Sequence, residues 1–234
     1  MLPIEFRSDM TVELIQSMAS DSAVTMAARV STGGSKTTPS AEREAGLINY
    51  LMRDRHGSPF EHNAFTFYVE APIFVFREFM RHRIASYNEE SGRYKELNPV
   101  FYTPDAERKL IQVGKTGAYE FVAGSSEQLS VAQIEIYNNS KRAYESYKTM
   151  LDEGIAREVA RAVLPVNIYS SMYVTMNARS LMNFLSLRTK RDGTHFPSFP
   201  QREIEMVAEK MEELFAEKMP VTYDCFNKNG RVAP

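Results

Sequence analysis

The sequence predicts an α+β fold in which helices dominate and a few strands form a mixed sheet. Several long segments have apolar residues at the three- and four-residue spacing of helices, whereas residues 65–70 alternate and residues 166–176 are rich in β-branched and aromatic side chains. Strands and helices do not alternate regularly along the chain, which argues against a doubly wound parallel sheet. We expect one domain over residues 1–234, with a peripheral tail from about 220 to 234.

In the first half of the chain, the spacing of apolar residues predicts a short helix within residues 9–20. A threonine–proline pair predicts the start of a second helix over residues 38–55. Residues 65–70 form a predicted strand, and a proline opens a short helix within residues 72–83. We expect residues 85–105 to be irregular.

The second half is predicted to be mostly helical. A long helix is expected over residues 127–153 and a shorter one over 155–164, followed by a strand over 166–176. Asn177 is the predicted N-cap of a helix that runs to about residue 187. After a loop, residues 200–219 form a strongly amphipathic helix.

The composition is that of an ordinary globular protein, because 43% of the 234 residues are hydrophobic and 25% are charged. The single cysteine, Cys225, excludes an internal disulfide, and no cysteine cluster could bind zinc. The longest strongly apolar run, Ala71 to Phe76, is too short to span a bilayer, and the first residues lack the pattern of a signal peptide. We therefore expect a cytoplasmic protein. The net charge of -2 argues against a general nucleic-acid-binding protein.

The stretch from Arg77 to Tyr94 is the most unusual part of the sequence. It combines arginines with histidine, serine, asparagine and glutamate directly after an aromatic-rich strand and an apolar helix. Arginine and serine donors suit phosphate oxygens and carboxylates suit ribose hydroxyls, so the stretch could form a phosphate and sugar pocket. The alternative is a solvated helix end, the usual explanation of a charge run. The loop STGGSK is not a P-loop, because Ser35 stands where glycine is required.

Polar residues also interrupt two predicted helices. Arg179 and Asn183 are four residues apart on a helix that otherwise has core character, and Arg157 and Arg161 repeat this spacing. Buried polar groups need partners, which are either caps and salt bridges or a bound ligand.

The four histidines do not have the spacing of a metal site, so we expect no bound metal. His56 lies in a loop after a helix and is the better candidate for a site residue. Glu61 and His62 could form a catalytic pair, although a structural role is the usual explanation of such a histidine.

Five blocks of sequence occur together in one order along the chain. They are ARVS ending at Ser31, HGSPFEH from His56, RHRIASYNEESGRY from Arg81, REVARAVLP from Arg157 and NARSLMNFLSLR from Asn177. The third block contains an Arg-His-Arg tripeptide followed, after seven residues, by serine, which resembles the signature of flavin-dependent thymidylate synthases. Because the blocks occur in order from residue 28 to residue 188, the resemblance to that family covers most of the chain.

The resemblance implies a methyltransferase that converts dUMP to dTMP by reductive methylation of the uracil C5. In that reaction 5,10-methylenetetrahydrofolate supplies the carbon, reduced FAD supplies the hydride, and NADPH reduces the flavin, with no cysteine nucleophile. The resemblance also implies the α+β fold of this family and a homotetramer whose active sites are shared between subunits. No nucleic acid, membrane or metal is expected as a partner.

The resemblance also implies roles for individual residues. The expected dUMP ligands are Glu78, Arg81, Glu89, Ser91, Gly92, Arg93, Arg188 and, from another subunit, Arg161. The expected FAD ligands are Ser31, Ser58, Glu61, Arg81, His82, Arg83, Glu89, Asn177, Arg179 and Asn183. The expected catalytic residues are Arg188 at the uracil edge, Ser91, and His56 near the flavin or folate.

Two features depart from the family pattern. Glu78 stands where many members have glutamine, and since an acid beside a phosphate is unfavourable, we expect it to point away or to pair with an arginine. The loop Thr189–Phe199 is longer than in compact members and contains His195, so no role is transferred to that histidine.

Two other functions remain open from the sequence. The arginine cluster could serve a non-catalytic nucleotide- or RNA-binding protein, which would bind with steep salt dependence and without flavin. The same fold could also hold FAD and act on another acceptor.

Overall fold

The structure is a computed structural model that describes residues 3–32, 40–115 and 118–234. Its helices are α1 (Asp21–Arg29), α2 (Ala41–Arg53), α3 (Ile73–Phe79), α4 (Ser126–Asp152), α5 (Arg157–Ala160), α6 (Ala178–Arg188), α7 (Arg202–Lys218) and α8 (Pro220–Lys228). Its strands are β1 (Glu5–Arg7), β2 (Thr11–Ser17), β3 (Phe65–Pro72), β4 (Ser86–Glu89), β5 (Val100–Tyr102), β6 (Ile111–Lys115), β7 (Ala118–Val122) and β8 (Tyr169–Met176). The predicted α+β class is confirmed. None of the helices within these ranges is long and apolar enough to cross a membrane.

The strands form three sheets. The main sheet has four strands in the order β2-β3-β8-β4, and a hydrogen bond between the hydroxyls of Thr66 and Thr175 (2.9 Å) links two of them. β1 pairs with β5 in parallel, and β6 pairs with β7 as an antiparallel hairpin.

The chain divides into two compact units, each built from several segments. The first unit contains the residues up to Asp9, Glu70–Arg77 and Glu89–Ser171; the second contains Met10–Val69, Glu78–Asn88 and Met172–Pro234. The single domain expected over residues 1–234 stays a prediction.

The core of the first unit forms against α4. Ser125 caps this helix through a capping box with Gln128. Tyr144 and Tyr147 on α4 are buried, and Tyr144 packs edge-on against Phe101 with ring centroids 6.2 Å apart. The helix therefore begins at a defined cap and is held along its length by aromatic packing.

The core of the second unit places α6 and α7 beneath the strands. Phe184 of α6 stacks on Phe79 with centroids 4.6 Å apart, and Phe215 of α7 packs edge-on against Phe65 at 5.8 Å. The side chain of Asn177 accepts the Ser180 N–H at 2.9 Å and caps α6, as predicted. Because the N-cap fixes where α6 begins, it also fixes the directions of the polar side chains along the helix.

Several predicted elements differ in the structure. The helix predicted within residues 9–20 is wrong, because residues 11–17 form β2 at the edge of the main sheet. Pairing with β3 outweighs a helical spacing that covered barely two turns.

Residues 85–105, expected to be irregular, contain β4 and β5, which are too short to show alternation. The helix predicted over 155–164 is α5 followed by a 3-10 turn. The threonine–proline start at 38–39 lies outside the described residues, and α2 is described from Ala41.

The C-terminal segment differs from the peripheral tail that we expected. It forms α8, and Phe226 and Cys225 are buried. Arg231 forms a salt bridge with Glu212 of α7 at 2.6 Å, with side chains only 3% and 4% exposed. Arg191 binds the same carboxylate at 2.8 Å. The segment is therefore anchored by a buried, hydrogen-bonded charge network that local sequence patterns do not indicate.

Candidate functional site

Three predicted site residues meet at the C-terminal end of α6 and form the Arg188 cluster (Glu78, His82 and Arg188). Arg188 Nη1 donates to Glu78 Oε2 at 2.5 Å, and Arg188 Nη2 lies 3.4 Å from the Glu78 backbone oxygen. Arg188 Nε donates to His82 Nε2 at 3.1 Å. Glu78 lies in the last turn of α3, and His82 follows shortly after the helix ends. The C-terminal end of α3 therefore provides both partners of Arg188. Of the two orientations expected for Glu78, the structure contains the pairing with an arginine.

His82 is uncharged at neutral pH in this cluster. Burial and, to a smaller extent, the positive charge of Arg188 together lower the pKa of His82 to about 4. The ring packs edge-on against Phe184 with centroids 4.9 Å apart, which fixes its plane. The Tyr87 hydroxyl donates to the His82 backbone oxygen at 2.7 Å, which holds the main chain at the same point.

A second group, the Arg179 cluster (Gly57, Glu61, Arg179 and Pro234), lies at the N-terminal end of α6. Arg179 Nη1 donates to Glu61 Oε1 at 2.5 Å, and Arg179 Nε donates to the Pro234 backbone oxygen at 2.5 Å. Asn63 Oδ1 accepts the Ala178 N–H at 2.8 Å. Its Nδ2 is buried and has no partner in the described part of the chain.

The donors around the start of α6 fit a ligand with phosphate and hydroxyl groups. Arg179 supplies a planar cation, and the helix N-terminus favours an anion. The Glu61 carboxylate can accept a sugar hydroxyl. The unpartnered Nδ2 of Asn63 is a further buried donor at this point, and such groups normally have a partner.

The first unit contains a third group, the Arg161 cluster (Glu89, Ser91, Gly92, Arg93 and Arg161). The Ser91 hydroxyl oxygen accepts the Arg93 N–H at 3.3 Å, so its own O–H is available for another acceptor. Arg161 lies so close to Gly92 that a Cβ there would be 3.3 Å from Arg161 Cδ. Burial raises the pKa of Glu89, although the nearby Arg161 opposes the shift. Arg161 lies beside this segment of its own chain, and its expected contribution to the site of another subunit stays a prediction.

A cavity of about 400 Å³ adjoins Arg188 in the second unit. Asn183 and Arg188 of α6 form part of its wall together with Arg55, Phe196 and Phe199. Arg55 has a positive φ of 65°, a backbone conformation that is unusual for a residue with a side chain. The cavity therefore combines aromatic rings with amide and guanidinium donors.

The remaining predicted residues are more dispersed. His56 stacks on Tyr50 with centroids 5.5 Å apart. The Ser31 hydroxyl donates to the Ala28 backbone oxygen at 2.9 Å, one turn earlier in the chain. Ser58 begins the 3-10 turn that carries Glu61. The side chains of Arg81 and Arg83, on either side of His82, are exposed.

Four residues in or beside these clusters were not predicted as site residues. They are Gly57, which lies against Arg179, Asn63, Pro234, and Glu158, which accepts a hydrogen bond from Arg93 Nε at 3.0 Å. Each is distant in sequence from its partner, and no motif includes them in a role. Within the residues that the structure describes, no group of three or more histidine, cysteine or acidic side chains could hold a metal ion.

Comparisons with known proteins match nearly the whole chain to enzymes that methylate uracil nucleotides or are named thymidylate synthases. A protein-family profile described as "Thymidylate synthase complementing protein" matches residues 13–221. The flavin-dependent thymidylate synthase of Streptomyces coelicolor is 62% identical over 236 residues, covering 99% of this chain and 96% of the relative. That of Thermosipho africanus is 44% identical over 218 residues, covering 93% and 90%. The crystal structure of the UMP/dUMP methylase PolB from Streptomyces cacaoi bound with 5-Br UMP superimposes with a TM-score of 0.93 at 55% identity, covering 99% of both chains.

The fold and these matches define an enzyme of the methyltransferase class. The likeness extends over both compact units, since it includes almost every residue of the chain. The chain belongs to the flavin-dependent thymidylate synthase family. The resemblance inferred from the five sequence blocks is therefore confirmed.

Proposed function

We propose that the chain converts dUMP to dTMP by reductive methylation with 5,10-methylenetetrahydrofolate as carbon donor, FAD as cofactor and NADPH as reductant. The observation that carries the proposal is the Arg188 guanidinium, held by Glu78 and His82 in a chain that matches the family along its length. In this proposal Arg188 is the residue at the uracil edge of the substrate.

The Arg179 cluster supports the assignment of the flavin. Bound FAD, once reduced, would supply the hydride that the added carbon needs to become a methyl group. Arg179 would hold its phosphates, and Glu61 would accept a sugar hydroxyl. The other residues proposed on the flavin side are Ser31, Ser58, Arg81, His82, Arg83, Glu89, Asn177 and Asn183, with His56 near the flavin or folate.

The Arg161 cluster would bind the phosphate and sugar of dUMP, together with Arg81. Arg161 and Arg93 supply guanidinium donors, and the free O–H of Ser91 supplies a short hydrogen bond. The Glu89 carboxylate is a hydrogen-bond acceptor, so it suits a sugar hydroxyl better than a phosphate. Gly92 leaves room for the Arg161 side chain beside it.

Arg188 would stabilise negative charge on the uracil ring. Its guanidinium stays protonated through the reaction, so it donates hydrogen bonds without losing a proton. A cysteine nucleophile is not part of the proposal, because Cys225 is buried and burial raises the pKa of its thiol. A reactive thiolate requires the opposite environment.

We also propose a cytoplasmic homotetramer with shared active sites. The exposed face of α4 supports an assembly, because Val131, Ile134 and Tyr137 recur every three residues and are 61%, 55% and 47% exposed. Association of such faces would remove apolar surface from water.

The proposal is tested with purified protein loaded with FAD. Oxidised-flavin absorbance should appear, NADPH should bleach it anaerobically, and dUMP with 5,10-methylenetetrahydrofolate should then yield dTMP. Colourless protein that cannot be loaded with FAD would refute the proposal. Bound FAD without product from dUMP would favour a flavoprotein with another acceptor.

UMP is a second candidate substrate. The 55% identical PolB structures are of a UMP/dUMP methylase with 5-Br UMP or 5-Br dUMP bound. Parallel assays with UMP and dUMP, compared by kcat/KM, decide between a deoxyribonucleotide-specific and a broader enzyme.

A further inference from the structure

The guanidinium of Arg188 is held by hydrogen bonds to two other residues of its own chain, Glu78 and His82. An arginine side chain carries five N–H donors. The contacts to Glu78 Oε2, the Glu78 backbone oxygen and His82 Nε2 use three of them, one on each nitrogen. In the described part of the chain, two N–H groups therefore have no acceptor. Arg188 is only 17% exposed, so its side chain has little freedom to reorient.

The contact with His82 requires one particular tautomer. Arg188 Nε donates to His82 Nε2, so Nε2 must be the unprotonated acceptor and the ring proton must be on Nδ1. The edge-on contact with Phe184 keeps the ring in the plane that points Nε2 at Arg188. A histidine with its proton on Nε2, or with both nitrogens protonated, would place two donors against each other.

We propose that Glu78 and His82 are positioning residues, which hold the Arg188 guanidinium in one orientation and leave its two remaining donors for the pyrimidine of the substrate. This inference rests on the proposed function. His82 acts here as the neutral Nδ1–H tautomer. Glu78 acts as a hydrogen-bond acceptor at a fixed point rather than through its net charge.

Paired substitutions distinguish variants that keep a hydrogen-bond acceptor for Arg188 from variants that lose it. In His82→Gln, the amide oxygen can lie near the place of Nε2 and still accept from Arg188, whereas the side chain in His82→Asn is too short. In the same way, Glu78→Gln keeps an acceptor near Oε2 but removes the charge, and Glu78→Ala removes both. Kinetics with dUMP are measured for all four variants after FAD loading has been verified by absorbance.

We expect His82→Asn and Glu78→Ala to lower kcat by at least about 10-fold, with a much smaller change in KM for dUMP. The two glutamine variants should recover most of that loss. Glutamine variants as slow as their shorter counterparts would overturn the proposal, and so would wild-type turnover in His82→Asn or Glu78→Ala.

A substrate-free readout tests the tautomer independently. In protein with ¹⁵N-labelled histidine, one of only four histidines disappears from the spectrum in His82→Gln, which assigns its signals. We expect His82 Nε2 to have the chemical shift of an unprotonated ring nitrogen at neutral pH, and a protonated-type shift would overturn the proposed tautomer. If the wild type forms no dTMP, the proposed function fails, while this spectrum still decides the contact between His82 and Arg188.

Discussion

The guanidinium of Arg179 lies directly over Gly57. A Cβ atom at Gly57 would be 2.6 Å from both Cζ and Nε of Arg179, and 2.7 Å from the Pro234 backbone oxygen. The backbone of Gly57 is ordinary, with φ -75° and ψ -30°, so alanine is excluded by these neighbours and not by its own conformation.

Gly57→Ala is therefore expected to displace Arg179 and weaken FAD binding. A misplacement of roughly 1 Å in a positioned group can lower a reaction rate about 100-fold. We expect the displaced Arg179 to lower FAD affinity by a similar or smaller factor, about 10- to 100-fold, in a fluorescence titration. Gly46→Ala is the matched control, because nothing lies within 4 Å of a Cβ there and alanine favours the helix. Equal FAD affinity in the two variants would contradict the role given to Arg179.

Gly92→Ala should have a milder effect on dUMP binding. Its Cβ would be 3.1 Å from Leu97 Cδ1 and 3.3 Å from Arg161 Cδ, so the neighbours need to move only a few tenths of an ångström. Both atoms belong to flexible side chains. We expect dUMP affinity to fall by about 3- to 10-fold with FAD affinity unchanged, on the order of 1 kcal/mol. A larger loss of FAD than of dUMP affinity would show that this segment serves a different ligand.

Cys225→Ser should leave turnover within about twofold of the wild type. Cys225 is only 7% exposed and burial raises the pKa of its thiol, so it takes no part in the proposed chemistry. The buried hydroxyl should lower the free energy of unfolding by about 1–3 kcal/mol, measured by urea denaturation. Cys225→Ala avoids this polar cost. If both variants bind FAD but form no dTMP, a cysteine mechanism must be reconsidered.

The pH dependence of stability should report on His82. Its pKa is about 4 in the folded chain, against an ordinary value of 6.5 in the unfolded chain. Between these values the unfolded chain binds a proton that the folded chain does not, so the free energy of unfolding should decrease as the pH falls from about 6.5 to 4. Urea midpoints over this range should fall less steeply in His82→Gln than in the exposed-site control His62→Gln. Identical slopes in the two variants would contradict the lowered pKa.

Glu212→Gln should be strongly destabilising. It removes the charge that is buried between Arg231 and Arg191, at 2.6 Å and 2.8 Å. Breaking such a buried pair costs roughly 3–5 kcal/mol. Glu217→Gln on the same helix is the control, since its pair with Lys218 is exposed and should contribute about 0–1 kcal/mol. Similar unfolding midpoints for both variants, at one protein concentration, would show that the tail is not anchored through Glu212.

The sequence predicts the longer helices because the spacing of their apolar residues is repeated over several turns. α4 and α7, with 27 and 17 residues, match the predicted helices closely. β2 could not be recognised, because it is stabilised by pairing with β3, some 50 residues later in the chain. The alternation of residues 65–70 predicts β3 itself, but nothing in the local pattern of residues 9–20 indicates that they pair with it.

For the candidate site, the sequence indicates which residues are involved but not which of them are in contact. The motif blocks identify Arg188 and His82 as residues of interest, and Glu78 is noted because it departs from the family pattern. The chemistry of an acid among arginines leaves two outcomes for Glu78, pointing away or pairing with an arginine. Which arginine it pairs with depends on a tertiary contact within the second unit, since Arg188 is 110 residues away in the chain. Asn63 was missed because an isolated asparagine has no signal until its backbone partner is known.

The length of α6 connects its two polar ends. Arg179 and Arg188 are nine residues apart in one continuous helix, which separates them by about 13 Å along the axis and turns them to opposite sides. Inserting or deleting a single residue between them would rotate Arg188 by about 100° relative to Arg179, away from Glu78 and His82. The loop that follows, residues 189–201, has no such requirement. Natural changes in chain length are therefore expected in that loop and not within α6.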